Sequence, residues 1–159
     1  MELHIHRPLA FSELGERSTN QDFVYPPPDW ASTSDRLFVV CDGIGGADKG
    51  EEASRIVGEQ VAAFFYRNDQ PMLSKAVLRE ALREAYQGLD QFMQQHPLVS
   101  RMGTTLALLQ LHAAGASVAH LGDSRVYHVG RGGVKFCTTD HKQVYELVEA
   151  GIITAEQAK

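Results

Sequence analysis

The apolar and polar positions of this chain change period twice. Leu37 to Val40 are consecutive apolar residues and predict a buried strand bounded by a turn. Ahead of it, Leu3 to Ala10 and Asp22 to Val24 read as short strands, and Tyr25-Pro26-Pro27-Pro28-Asp29-Trp30 as a rigid loop. After Gly50 the spacing becomes helical. Ala53, Ile56, Val57, Val61 and Phe64 predict one helix. Ala76, Val77, Ala81, Leu82, Ala85, Tyr86, Leu89 and Phe92 predict a second over Ser74 to Gln95, ended by Pro97. Both stripes read as core seams. From Thr104 the period returns to that of strands: Thr104 to His112, Ala116 to Leu121, Arg125 to Val129 and Val134 to Thr138. Ala114-Gly115, Gly122-Asp123 and Gly130-Arg131-Gly132-Gly133 punctuate them, which predicts an antiparallel meander. A short helix over Lys142 to Ala150, stopped by Gly151, and a capping box of Thr154 with Gln157 close the chain.

Strands, then two long helices, then more strands predict an α+β domain with helices packed on sheets. The later strands lie too close together for the helical crossovers of a parallel sheet. At 159 residues the chain has room for one domain with a core and not for two. Lys and Arg number 15 against 20 Asp and Glu, and no basic cluster stands out, so no nucleic-acid partner is expected. No apolar run reaches the length of a membrane span, and Met1-Glu2-Leu3-His4 does not open a signal peptide. No membrane association and a cytoplasmic location are therefore expected. Cys41 and Cys137 sit in apolar strand-like runs and read as buried reduced thiols, not as a disulfide or a zinc site.

Three carboxylates stand at strand–loop junctions. Asp42 ends the Leu37 strand and is followed by Gly43, Gly45 and Gly46, which allow tight bending and close approach of backbone to a ligand. Asp22 opens an apolar stretch, and Asp123 sits in the turn His120-Leu121-Gly122-Asp123-Ser124-Arg125. Each alone could be a turn residue bonded to backbone amides. Carboxylates from separate strand ends can instead converge where Mg²⁺ or Mn²⁺ takes oxygen ligands. Arg17 could hold phosphate oxygens with its planar fork, or form a surface ion pair of little consequence. His4 and His6 could share a strand face and bind metal, but belong to a terminal segment. His120 and His128 read as strand-packing residues and His141 as structural. Cys41 is a poor nucleophile, because neighbouring Asp42 would raise its pKa. No phosphate loop, dinucleotide fingerprint or nucleophile elbow occurs.

In order, these segments resemble the PP2C-like (PPM) metal-dependent serine/threonine protein phosphatases of bacterial type. The matching runs are Gly15-Glu16-Arg17-Ser18-Thr19-Asn20-Gln21-Asp22, then Asp42-Gly43-Ile44-Gly45-Gly46 with Gly50-Glu51-Glu52-Ala53-Ser54, then Met102-Gly103-Thr104-Thr105. His120-Leu121-Gly122-Asp123-Ser124-Arg125-Val126-Tyr127 follows, and then Thr138-Thr139-Asp140-His141 with Leu147-Val148-Glu149-Ala150-Gly151. The resemblance implies an αββα sandwich, two mainly antiparallel sheets flanked by helices. It implies hydrolysis of phosphoserine and phosphothreonine in a phosphoprotein substrate by a metal-activated water, with Mn²⁺ or Mg²⁺ as cofactor and two or more ions in the intact domain. By position it gives Arg17 the substrate phosphate, Asp42 a place bridging two metal ions and the Gly43 carbonyl one of them. Asp22 then supports the other ion mainly through water, and Asp123 a third, weaker site.

This sequence departs from the family pattern in several places. Gln21 stands where an acid usually precedes the aspartate, Ile44 where animal and plant members carry a histidine, and Ala47 where a histidine often follows the bacterial glycine motif. The family also carries two later metal-binding aspartates, in Asp-Gly and Asp-Asn motifs, and neither follows Gly151. The chain thus resembles the N-terminal part of the domain, with a sandwich incomplete at the C-terminus. Exposed sheet edges and dimerisation or strand exchange through them are expected. Two rival readings stand beside an active phosphatase. One is a catalytically inactive phosphatase-like binding or regulatory module. The other is a haloacid-dehalogenase-like phosphatase with Asp42 as nucleophile, disfavoured because Ile44 occupies the place of its second aspartate.

Overall fold

Strands β1 (Asp22–Tyr25) and β2 (Leu37–Asp42) pair antiparallel across the proline loop. They do so in a computed structural model that describes residues 4–16, 18–44, 49–69, 72–141 and 154. Strands β3 (Leu106–His112) and β4 (Gly115–Leu121) complete a four-stranded antiparallel sheet of order β1-β2-β3-β4. The pleat divides β2 between two faces. Val39 and Cys41 are fully buried, with Val39 opposite the equally buried Leu108 of β3. Phe38, Val40 and Asp42 alternate with them onto the other face, where Val40 is 42% exposed.

Helices α1 (Gly50–Asn68) and α2 (Lys75–Gln95) cover the first face. In α1, Ala53, Val57, Val61 and Phe64 form the predicted stripe and join Val39, Cys41, Leu106 and Leu108 in one core. Burial of such aliphatic and aromatic side chains stabilises the layer by roughly 1.5–3 kcal/mol each. Gly58 brings α1 close to β1, since a Cβ there would lie 2.1 Å from the Phe23 ring. Helix α2 begins at Ser74, whose hydroxyl accepts the Val77 amide at 3.2 Å as an N-cap. Ala81, Ala85 and Leu89 are its buried residues. The predicted stripe was broader than that: Ala76 and Tyr86 are exposed, because α2 packs mainly on its narrow alanine face against α1.

Strands β5 (Tyr127–Gly130) and β6 (Gly133–Cys137) form a separate two-stranded sheet. It lies over the outer face of the first sheet, and a cavity of about 500 Å³ between them is lined by Leu109, Val118, His128 and Phe136. Helices on one face and a second sheet on the other give the α+β layering that the sequence implied. The meander, however, is interrupted. At Gly122, whose φ of +87° suits glycine, the chain leaves the first sheet to enter the second.

Residues 4–14 contain no strand, contrary to the reading of Leu3 to Ala10, of which Leu3 lies outside the described residues. Pro8 lacks an amide donor, and Leu9 and Phe11 are in solvent with no strand beside them. The predicted helix over Lys142 to Ala150, its Gly151 stop and the capping box at Gln157 lie outside the described residues. Among the described residues no helix is long and apolar enough to cross a membrane.

Candidate metal and phosphate site

Asp22 and Asp42 are cross-strand partners at one end of the β1–β2 ladder. Partners in an antiparallel pair point to the same face, so both carboxylates leave the sheet on the side away from the helices. They line an open cavity of about 490 Å³ with Glu13, Glu16, Thr19 and Asn20. Asp22 is held from below. Ser12 Oγ donates to its Oδ2 at 2.7 Å, Asn20 Nδ2 donates to Ser12 Oγ at 2.7 Å, and the Asp22 amide donates to Asn20 Oδ1 at 2.9 Å. The last bond is an Asx turn. Asn20 carried that signal in the sequence; Ser12 did not.

Asp42 is half-buried, and its Oδ1 is shielded from solvent. A carboxylate oxygen withdrawn from water favours a cation close by. The next residue, Gly43, donates its amide to the Gln21 carbonyl at 2.9 Å. In an extended segment the carbonyl of the same residue faces the same edge, so the Gly43 oxygen points toward the β1 side, where Asp22 lies. No side chain fits at Gly43: a Cβ would stand 2.2 Å from the Gly50 carbonyl oxygen. This close approach joins the end of β2 to the start of α1.

Asp123 is placed differently. It is exposed in the turn after β4 and does not line the Asp22–Asp42 cavity. Its neighbour Ser124 has Oγ 2.6 Å from Thr105 Oγ1, and that oxygen accepts the Asp42 amide at 3.0 Å. One residue further, Arg125 grips the buried Asp140 with two bonds, Nε to Oδ1 at 2.6 Å and Nη2 to Oδ2 at 2.8 Å. The bonds from Asp140 raise the Arg125 pKa above its ordinary value. His120 donates Nε2–H to the Thr139 carbonyl at 2.7 Å and stacks on His141 with centroids 4.4 Å apart. These two histidines therefore tie the β4 end to the segment after β6. His128 lines the cavity between the sheets, and His4 and His6 lie on the strandless terminal segment.

Arg17 lies outside the described residues, as do Gly45, Gly46 and Ala47. Cys41 is buried and turned toward the helices, and burial pushes its thiol up to about 12. The sequence anticipated the direction but ascribed it to Asp42; desolvation is the cause. Cys137 is half-buried on β6, and neither cysteine forms a disulfide.

The donors that the structure assembles are carboxylate and carbonyl oxygens, the set preferred by Mg²⁺ and Mn²⁺. Among the described residues no three histidine, cysteine or carboxylate side chains gather around one point. An ion held here by Asp42 and the Gly43 carbonyl would keep several waters, as small hard cations do.

Comparison with known proteins gives the family of the chain. Residues 12–155 match the family model for protein phosphatase 2C. A putative protein phosphatase 2C-type of Streptococcus pyogenes serotype M6 is 34% identical over 151 residues, spanning 92% of this chain and 60% of the relative. The serine/threonine protein phosphatase PstP of Mycobacterium tuberculosis is 32% identical over 146 residues, 89% of this chain and 26% of the relative. The crystal structure of the catalytic domain of PstP with two manganese ions superposes with a TM-score of 0.64 at 31% identity. That match covers 96% of this chain and 60% of the solved one. The chain thus spans less than two thirds of the length of these relatives.

Proposed function

This chain belongs to the protein phosphatase 2C family, and from that premise we propose that it acts as one phosphatase-type domain hydrolysing phosphoserine and phosphothreonine in proteins, with Mn²⁺ or Mg²⁺ as cofactor. The observation that carries the proposal is the pairing of Asp22 with Asp42 at one sheet end, with Asp42 Oδ1 shielded from water beside a carboxylate-lined cavity. Asp42 and the Gly43 carbonyl would hold one ion directly, with Asp22 supporting a second. Asp123 belongs to a further site on the adjoining turn. The manganese ions of the PstP crystal structure favour this assignment by analogy. When bound, such an ion would polarise phosphate oxygens and lower the pKa of a bound water.

The chain's own part is orientation. The Ser12–Asn20 pair keeps the Asp22 carboxylate aimed into the cavity. The β2–β3 ladder holds Asp42, and Arg17 would bind the substrate phosphate through its guanidinium. The substrate is a phosphoprotein in the cytoplasm. The proposal is tested by phosphate release from a phosphothreonine peptide with and without Mn²⁺. Turnover that requires Mn²⁺, with a raised KM in Arg17→Ala, supports it; turnover unchanged by metal removal refutes it.

A catalytically inactive binding module is favoured by one observation. Gln21 lines the cavity in place of an acid beside Asp22, and its uncharged amide, packed against Gly50 2.9 Å from where a Cβ would stand, brings no charge there. Phosphopeptide binding without turnover in the presence of Mn²⁺ would select that reading.

A further inference from the structure

The β2–β3 ladder departs from the ordinary pattern at Asp42 and Thr105. The Thr105 amide donates to the Asp42 carbonyl at 2.9 Å, as an antiparallel pair requires. The returning bond goes elsewhere: the Asp42 amide donates to the Thr105 hydroxyl at 3.0 Å. Thr104 Oγ1 adds a bond to the Asp42 carbonyl at 2.9 Å. The Asp42 backbone is thus held by three bonds from two adjacent threonines. Thr105 alone reaches further, since its hydroxyl also meets Ser124 Oγ at 2.6 Å, next to Asp123. The turn closes onto it: a Cβ on Gly122 would stand 2.8 Å from Thr105 Cγ2. On its far side the turn is fixed by the Arg125–Asp140 pair and by the His141 amide, which donates to the Gly122 carbonyl at 2.8 Å.

We infer that Thr105 is a positioning residue for the metal centre, its hydroxyl setting the spacing between the strand end that carries Asp42 and the turn that carries Asp123. The inference rests on the assignment of those two aspartates as metal ligands. A hydroxyl suits the task because it has one proton and two lone pairs. It accepts the Asp42 amide and still exchanges a bond with Ser124, whichever oxygen donates. Valine has nearly the same shape, but leaves the Asp42 amide without this acceptor and cuts the link to Ser124. Serine keeps both bonds. Residues that orient metal ligands characteristically act on affinity without touching the ion.

The test is Mn²⁺ titration by calorimetry of wild type, Thr105→Val, Thr105→Ser, Ser124→Ala and the Thr105→Val/Ser124→Ala double variant. Exchange of the Asp42 amide, followed by NMR, accompanies it. Thr105→Val is expected to weaken Mn²⁺ binding by about tenfold or more, with Thr105→Ser restoring most of the affinity. The double variant should bind no more weakly than Thr105→Val, because the single substitution already removes the bridge. The Asp42 amide should exchange faster in Thr105→Val and not in Thr105→Ser. Wild-type affinity in Thr105→Val, a Thr105→Ser as weak as the valine variant, or losses that multiply in the double variant would each overturn the inference alone. A wild type that takes up no Mn²⁺ overturns the metal-centre reading and this inference with it. In that case the amide exchange would report a structural bond only.

Discussion

Asp42 and Cys41 are adjacent in sequence and opposite in environment because a strand turns successive side chains to opposite faces. The carboxylate reaches the cavity, and the thiol enters the helix layer. Asp42→Asn preserves shape and removes the charge that a cation requires, so Mn²⁺-dependent turnover should fall about a hundredfold or more. The bound is set against the 10–100-fold that mere outer partners of ligands cost. The Cys41 prediction follows from desolvation. Burial disfavours the thiolate, so a pKa pushed up to about 12 leaves the group protonated at pH 8. Iodoacetamide at pH 8 should modify half-buried Cys137 first and Cys41 only on unfolding, with peptide mass spectrometry as the readout. Equal rates would contradict the burial account. The strand-end placement of Asp22 and Asp42 was legible from the apolar runs that they bound. The Ser12–Asn20 and Thr105–Ser124 bonds were not. They join polar residues far apart in the chain, and a hydroxyl contact leaves no periodic trace.

Among the elements, the two helices and most strands could be read because their apolar periods are long and regular. The failures share a cause. Period two continues on both sides of Gly122, yet the sheet that a strand joins is decided by long-range pairing, which periodicity does not encode. Likewise, Leu3 to Ala10 has a strand-like composition, but the described part of it has no partner strand to pair with. The α1–β1 contact gives a sharp test of packing. Gly58→Ala gains roughly 1 kcal/mol of helix propensity. The new methyl would sit 2.1 Å from the Phe23 ring, and overpacking of this kind costs about 1–3 kcal/mol. Net destabilisation in urea unfolding is expected; a more stable variant would mean that α1 stands further from β1. At the other helix, Ser74→Ala removes an N-cap and should cost about 1 kcal/mol in the same assay.

At the scale of the molecule, one face of the first sheet is sealed by helices and the other only partly by β5–β6. Val40, Val118, Val129, Val134 and Phe136 keep between 36% and 66% of their surface exposed, which makes this side the candidate for self-association. Light scattering of the 159-residue chain should report a dimer or larger species, reduced by Phe136→Ser; a monomer at high concentration would argue against association through this face. The proposed centre lies at the end of the well-packed sheet, where the β1–β2 ladder pairs Asp22 with Asp42. The most direct test of that account is p-nitrophenyl phosphate hydrolysis by this chain with Mn²⁺, with EDTA, and with Asp42→Asn. The account predicts turnover that appears with Mn²⁺, disappears with EDTA and is lost in the variant. Turnover that survives EDTA, or that Asp42→Asn retains, would contradict it.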